Sequence, residues 1–214
     1  MDPDSGNSAG VDLLATEIVD LLRQNSAILV LAESCTSGLI AATLGRVPGV
    51  SQVLAGSAVV YQVETKAIWL KINRGLLEKP GPVSAEVAAA MAAGVLNQSP
   101  HATLALSVTG HLGPDAAAGL DGVAFTAIAS RNSEPKWRRL SLLPASETEH
   151  AKPVMAENMA GNTAGDIAGN VVSPGRTMPT ASVRVQRQQD AVLQCLSYLQ
   201  EWLQSYSGGS GSSG

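Results

Sequence analysis

The stretch Ile28-Leu29-Val30-Leu31-Ala32-Glu33-Ser34-Cys35-Thr36-Ser37-Gly38 constrains the fold more than any other part of the chain. An apolar run stops abruptly at small polar residues, and a helix-period pattern, Leu39-Ile40-Ala41-Ala42-Thr43-Leu44, follows. That is the signature of a buried strand, a tight turn and a helix, with Thr36–Leu44 as the helix and Gly45 closing it. Such a turn sets hydroxyls and backbone N–H groups at a helix start, where an anion or a developing oxyanion is stabilised. Ser34 can serve there as a nucleophile, as a phosphate ligand or, like Thr36, as a helix cap. Cys35 reads as a small buried hydrophobe or as a thiolate made acidic by the helix start. Its base would have to be one of three scattered histidines, His101, His111 or His150, which lie on no obvious partner element.

The rest of the chain repeats the alternation of strand and helix. Residues 1–10 read as a flexible tail, and Val11–Arg23 as a helix with Leu13, Leu14, Ile18, Leu21 and Leu22 at helical spacing. Strands are expected over Ala27–Ala32, Val53–Tyr61, Ala102–Val108, Val123–Ala129 and Trp137–Leu143. Helices are expected over Glu64–Leu70, Arg74–Leu77 and Glu86–Asn97, the last capped by Ser84. Another, Ser182–Gln204, has Val185, Val192, Leu193, Leu196, Leu199 and Leu203 on its inner face. The segment 144–181 shows no sustained period and reads as a long irregular insertion. Ser207–Gly214 is Gly and Ser alone and is left out of the fold. The expected architecture is α/β: a single three-layer domain over 11–206, with a central sheet flanked by helices.

Composition narrows the function. Hydrophobic residues make up 45% of the 214 and aromatics only 3%, so the core is built from Ala, Val, Leu and Ile, and a stacking platform for single-stranded nucleic acid is not expected. A net charge of −4 gives no basic field for DNA or RNA. Two cysteines, Cys35 and Cys195, form no CxxC pair, which suits a reducing, cytoplasmic setting. No apolar run approaches the roughly 20 residues that span a bilayer, and no His or Cys spacing matches a metal site.

Ligands in such sheets gather at the carboxyl ends of strands. Three loops qualify: Glu33–Gly38, Tyr61–Lys66 and the glycine-rich Thr109–Gly122. A lysine near Tyr61 would favour the phenolate, and a desolvated Lys66 could itself be a base, as in Ser–Lys hydrolases.

In order, these motifs resemble the CinA carboxy-terminal domain family, the nicotinamide mononucleotide deamidases. Ala32-Glu33-Ser34-Cys35-Thr36-Ser37-Gly38 is close to its A-E-S-C-T-G-G, and Tyr61–Lys66 is similar to its Y-x-N-E-x-K. Gly81-Pro82-Val83-Ser84 parallels G-A-V-S, and Val108-Thr109-Gly110-His111-Leu112-Gly113-Pro114 parallels V-T-G-I-A-G-P. Ser37, Gln62, Val63, His111 and Leu112 depart from the family pattern, and either Arg184 or Arg187 stands near its arginine before the last helix.

The resemblance implies an amidohydrolase without metal or cofactor, whose small-molecule substrate is nicotinamide mononucleotide. On that model Ser34 is the nucleophile, and Tyr61 and Lys66 handle its proton and the leaving ammonia. Glu33, Cys35, Thr36, Gly38, Thr109, Gly110 and Arg184 are the expected substrate-binding residues. A homo-oligomer is expected, with no nucleic-acid or membrane partner. A second reading is a catalytically silent nucleotide- or partner-binding module, which would bind the mononucleotide without turning it over.

Overall fold

Five strands form one mixed sheet in the order β2-β1-β3-β4-β5. They are β1 (Leu29–Glu33), β2 (Leu54–Val59), β3 (Leu104–His111), β4 (Val123–Ser130) and β5 (Ser133–Ser141). The helices are α1 (Ser5–Gln24), α2 (Leu39–Leu44), α3 (Val63–Leu70), α4 (Arg74–Glu78), α5 (Ala85–Gln98) and α6 (Val183–Ser205). The computed structural model describes residues 5–113, 116, 118–131, 133–143 and 183–206. β1 runs parallel to β2 and β3, while β4 and β5 continue antiparallel.

A central parallel strand must be covered on both faces, and β1 is buried at all five residues. Leu29 and Leu31 pack with α1, α2 and α6, whereas Val30 and Ala32 pack with α3, α4 and α5. This is the expected three-layer α/β fold. Alanine and glycine set the spacing on the α5 side. A Cβ on Gly94 would lie 2.4 Å from the Leu70 carbonyl oxygen, so α5 rides directly on the end of α3. Helix propensity alone would make Gly94→Ala stabilising by about 1 kcal/mol. The backbone contact reverses the sign: urea unfolding should show Gly94→Ala less stable by about 2 kcal/mol. Equal or greater stability would mean that the α3–α5 contact yields at no cost.

Four expected boundaries shift, each for a physical reason. α1 starts at Ser5, so residues 5–10 belong to a helix rather than to a tail. The helix after β1 begins at Leu39, not Thr36, because Ser37 (φ 54°) and Gly38 (φ 92°) are left-handed and no right-handed helix runs through them. β3 extends to His111, so Thr109 and Gly110 are ladder residues opposite Phe125 and Ala124 rather than loop residues. β5 begins at Ser133, ahead of Trp137.

On α6, Val185 is 40% exposed and Leu193 half-buried, whereas Arg187, Ala191, Cys195 and Tyr198 face inward. Arg187 is admitted to the interior by a fork of bonds to Asp121, at 2.7 and 2.8 Å, and by the Leu112 and Leu143 carbonyls. That guanidinium holds the Asp121 carboxyl below its usual range. The expectations for 144–181 and 207–214 lie outside the described residues. Among the described residues, no helix is long and apolar enough to cross a membrane.

Candidate active site

The β1–α2 turn is organised by Glu33, the last residue of the strand. Its carboxylate is buried and accepts five hydrogen bonds: from the Thr36 hydroxyl (2.8 Å), the Ser57 hydroxyl (3.1 Å) and the amides of Gly38 (3.0 Å), Ile40 (3.1 Å) and Ala41 (3.0 Å). A negative charge is thereby set on the open N–H groups of α2, where the helix dipole favours it. Neither Ser34 nor Thr36 takes the capping role that is one of the alternatives open to them. Gly38 is the N-cap without a side-chain bond, and Glu33 does the capping from outside the helix. Ser37 stands left-handed where the family motif has glycine, a conformation costing a non-glycine residue about 1–2 kcal/mol.

With the turn held, Ser34 sits one residue beyond β1. Its amide still bonds the Val108 carbonyl at 3.1 Å, and its own carbonyl accepts from the Ser37 amide at 3.1 Å. Its hydroxyl is left for Lys66. That lysine lies in the first turn of α3, and its ammonium reaches back to Ser34 Oγ at 2.8 Å, the Val60 carbonyl at 3.0 Å and the Tyr61 carbonyl at 3.2 Å. These three partners are neutral oxygens, and the side chain is buried. Burial pushes the Lys66 pKa down to about 8. A lysine that gives up its proton near neutrality, in contact with a serine hydroxyl, has the geometry of a general base with its nucleophile.

Cys35 takes the bland role. Burial pushes its thiol up to about 12, so it is no thiolate. Its carbonyl accepts from the Gln188 side chain of α6 at 3.2 Å. Nothing in the sequence joins residues 153 apart, so Gln188 was invisible to pattern reasoning. The expected Lys66–Tyr61 side-chain pair is not formed. Lys66 meets only the Tyr61 main chain, and the half-exposed phenol oxygen accepts a hydrogen bond from Arg184. Arg184 also donates to the Gly113 carbonyl at 2.9 Å. Of the two candidate arginines, therefore, Arg184 reaches the site, while Arg187 pins the loop that carries Gly113.

These groups border a pocket of about 210 Å³ at the carboxyl ends of β1 and β3. Ser34, Cys35, Tyr61, Lys66, Thr109, Gly110 and Arg184 all line it. Glu33, Thr36 and Gly38, expected to bind substrate, do not. Their polar groups are spent on one another beneath the turn, which makes them its frame. The Thr109 hydroxyl donates to the Pro82 carbonyl at 2.8 Å and ties β3 to the segment before α5. Gly110 has a steric reason: a Cβ there would lie 2.5 Å from that of Ala124. His111 lines the pocket as well, and His150 lies outside the described residues.

Fold and site together define a three-layer α/β protein with a buried serine–lysine pair at the strand ends. The chain belongs to the CinA C-terminal domain family, whose model matches residues 11–169. It is 39% identical over 137 residues to a CinA-like protein of Myxococcus xanthus, which covers 62% of this chain and 32% of that protein. It is 45% identical over 104 residues to a CinA-like protein of Chlorobium phaeovibrioides, covering 49% of this chain and 24% of that one. The chain thus spans about a third or less of these curated relatives. Among solved structures, it is similar to the competence/damage inducible protein CihA from Agrobacterium tumefaciens, with TM-score 0.67, 25% identity, and 91% and 95% of the two chains covered. A CinA superfamily protein from Klebsiella pneumoniae shares the fold at TM-score 0.69 and 20% identity, covering 92% of this chain and 99% of that one.

Proposed function

We propose that this chain is a serine amidohydrolase that converts nicotinamide mononucleotide to nicotinic acid mononucleotide and ammonia. The observation that carries the reading is the 2.8 Å contact between Ser34 Oγ and a buried Lys66 whose pKa falls to about 8. The substrate comes from the family resemblance, and the chemistry from the pair.

Neutral Lys66 takes the Ser34 proton as Oγ attacks the carboxamide carbon. The cationic pyridinium withdraws electrons and eases that attack. The backbone N–H of Cys35, a residue that lines the pocket, stabilises the oxyanion, commonly the largest contribution in acyl transfer. The C–N bond then breaks, the Lys66 ammonium returns its proton to the departing nitrogen, and ammonia leaves a nicotinoyl ester on Ser34. Water, deprotonated by the same amine, cleaves the ester and regenerates the serine. Arg184 supplies a positive charge at the mouth for the substrate phosphate, and its bond to Tyr61 holds the phenol beside the bound ring.

Ammonia release measured with the purified chain tests this. Ser34→Ala should lower kcat by roughly 10³-fold or more, since no group replaces the nucleophile. Turnover equal to wild type would remove Ser34 from the mechanism. Calorimetric binding of the mononucleotide by a wild-type chain that releases no ammonia would mark a silent binding module instead.

A further inference from the structure

Among the described residues, charge enters the interior at Glu33, Lys66 and Arg187. Glu33 frames the serine turn and Lys66 is the proposed base. Arg187 touches neither, yet three separate segments converge on it. Its Nε donates to the Leu143 carbonyl at 3.0 Å, its Nη1 to the Leu112 carbonyl at 3.3 Å, and both Nη atoms fork onto Asp121. Two left-handed glycines close on the guanidinium. A Cβ on Gly113 (φ 67°) would lie 2.7 Å from Arg187 Nη1, and one on Gly122 (φ 66°) 3.2 Å from its Cζ. Burying an ion pair is a costly way to add stability. What a two-armed fork adds is a fixed position.

That position matters one step away. Arg184, one turn earlier on α6, is exposed, and an exposed arginine loses many rotamers when it engages an anion. Here the Gly113 carbonyl, at 2.9 Å, and the Tyr61 phenol already hold it. Gly113 follows the carbonyl that Arg187 grips and lies against the same guanidinium. The line of contact therefore runs from Asp121 through Arg187 and Gly113 to Arg184. Asp121 itself does not line the pocket, and its side chain is 57% exposed. The pocket wall suits an anion: Lys66, His111 and Arg184 line it, and no carboxylate among the described residues does.

We propose that Asp121 and Arg187 are positioning residues that pre-set Arg184 for the phosphate of the bound mononucleotide, so that a carboxylate outside the pocket tunes affinity for the anionic end of the substrate. The inference rests on the role given to Arg184 in the proposed function.

Calorimetric titration of the full chain reads this without turnover. Asp121→Asn keeps the side-chain size but loses the charge and weakens one arm of the fork. It should raise the Kd for nicotinamide mononucleotide about fivefold, the cost of ordering one rotamer-rich side chain on binding. The Kd for nicotinamide riboside, which lacks the phosphate, should stay within about twofold of wild type. Arg184→Met should raise the mononucleotide Kd roughly tenfold or more, and adding Asp121→Asn to it should change little further, since the two act along one line. If Asp121→Asn does not fold, Gly122→Ala, whose Cβ presses on the Arg187 guanidinium, provides the same reading. An unchanged mononucleotide Kd overturns the inference. So does equal weakening of mononucleotide and riboside, or an undiminished effect of Asp121→Asn in the Arg184→Met background. Ammonia release separates this result from the amidase reading: the expected binding pattern in a chain without turnover removes the reaction and supports the positioning role.

Discussion

Lys66→Met is expected to lower kcat for ammonia release by roughly 10³-fold, because it removes the base while leaving an apolar side chain of similar length. Combining it with Ser34→Ala should cost little more than either change alone, since the two groups act as one unit. The pH profile is the sharper signature. Lys66 works as a base only when neutral, and its pKa is about 8. Wild-type kcat/KM should therefore fall about tenfold per pH unit below that value and level off above it. A flat profile from pH 6 to 9 would exclude Lys66 as the base.

Stability should report the same group with a definite sign. The Lys66 pKa is lowered from 10.5 to about 8 in the folded chain, so between those values the unfolded chain binds more protons and stability rises with pH. The cost of burying the ammonium is fully present below pH 8 and is relieved toward 10.5. The full interval corresponds to about 3 kcal/mol. Urea unfolding should show wild type gaining roughly that much on Lys66→Met as pH rises from 7.5 to 10.5, other titrating groups being common to both. A difference that does not move with pH would mean that the amine is not desolvated.

Glu33→Ala should be the most damaging single change to the fold outside the apolar core. It strips three amides and two hydroxyls of their partner. Each unsatisfied buried donor costs on the order of 1–3 kcal/mol, and partial relaxation leaves an expected loss of about 4 kcal/mol. Glu33→Gln keeps the shape but loses the charge and one acceptor, so it should cost about half as much. Because the same carboxylate frames the turn that presents Ser34, both variants should lose turnover even at temperatures where they remain folded. A destabilisation of Glu33→Ala below 1 kcal/mol, read from urea unfolding, would show that the turn holds itself.

The contrast between Glu33 and Lys66 shows where sequence reading stops. Both lie in recognisable motifs, and both looked equally able to face a ligand. Local pattern cannot say which side of a turn a carboxylate folds under. Glu33 turns back onto α2 because open amides attract it, and Ser57, from the neighbouring strand, closes the fifth bond. Arg184 and Arg187 were indistinguishable for the same reason. One helical turn of α6 separates a guanidinium on Tyr61 from one on Asp121, and the helix phase is fixed only by packing on the sheet. Gln188 had no local signal at all.

The sequence by itself determined the layered α/β class and most of its elements, because apolar periodicity and helix stop signals are local properties of the chain. It also marked Ser34, Lys66 and the Thr109-Gly110 pair as residues to watch, because in such sheets ligands gather at the carboxyl ends of strands. Only the tertiary structure decided which groups touch. Hydrogen bonds reach about 3 Å, and residues 32 positions apart in the chain come within that distance only when β1 and β2 pair side by side. That pairing places a lysine's amine, desolvated among neutral oxygens, on the hydroxyl of Ser34.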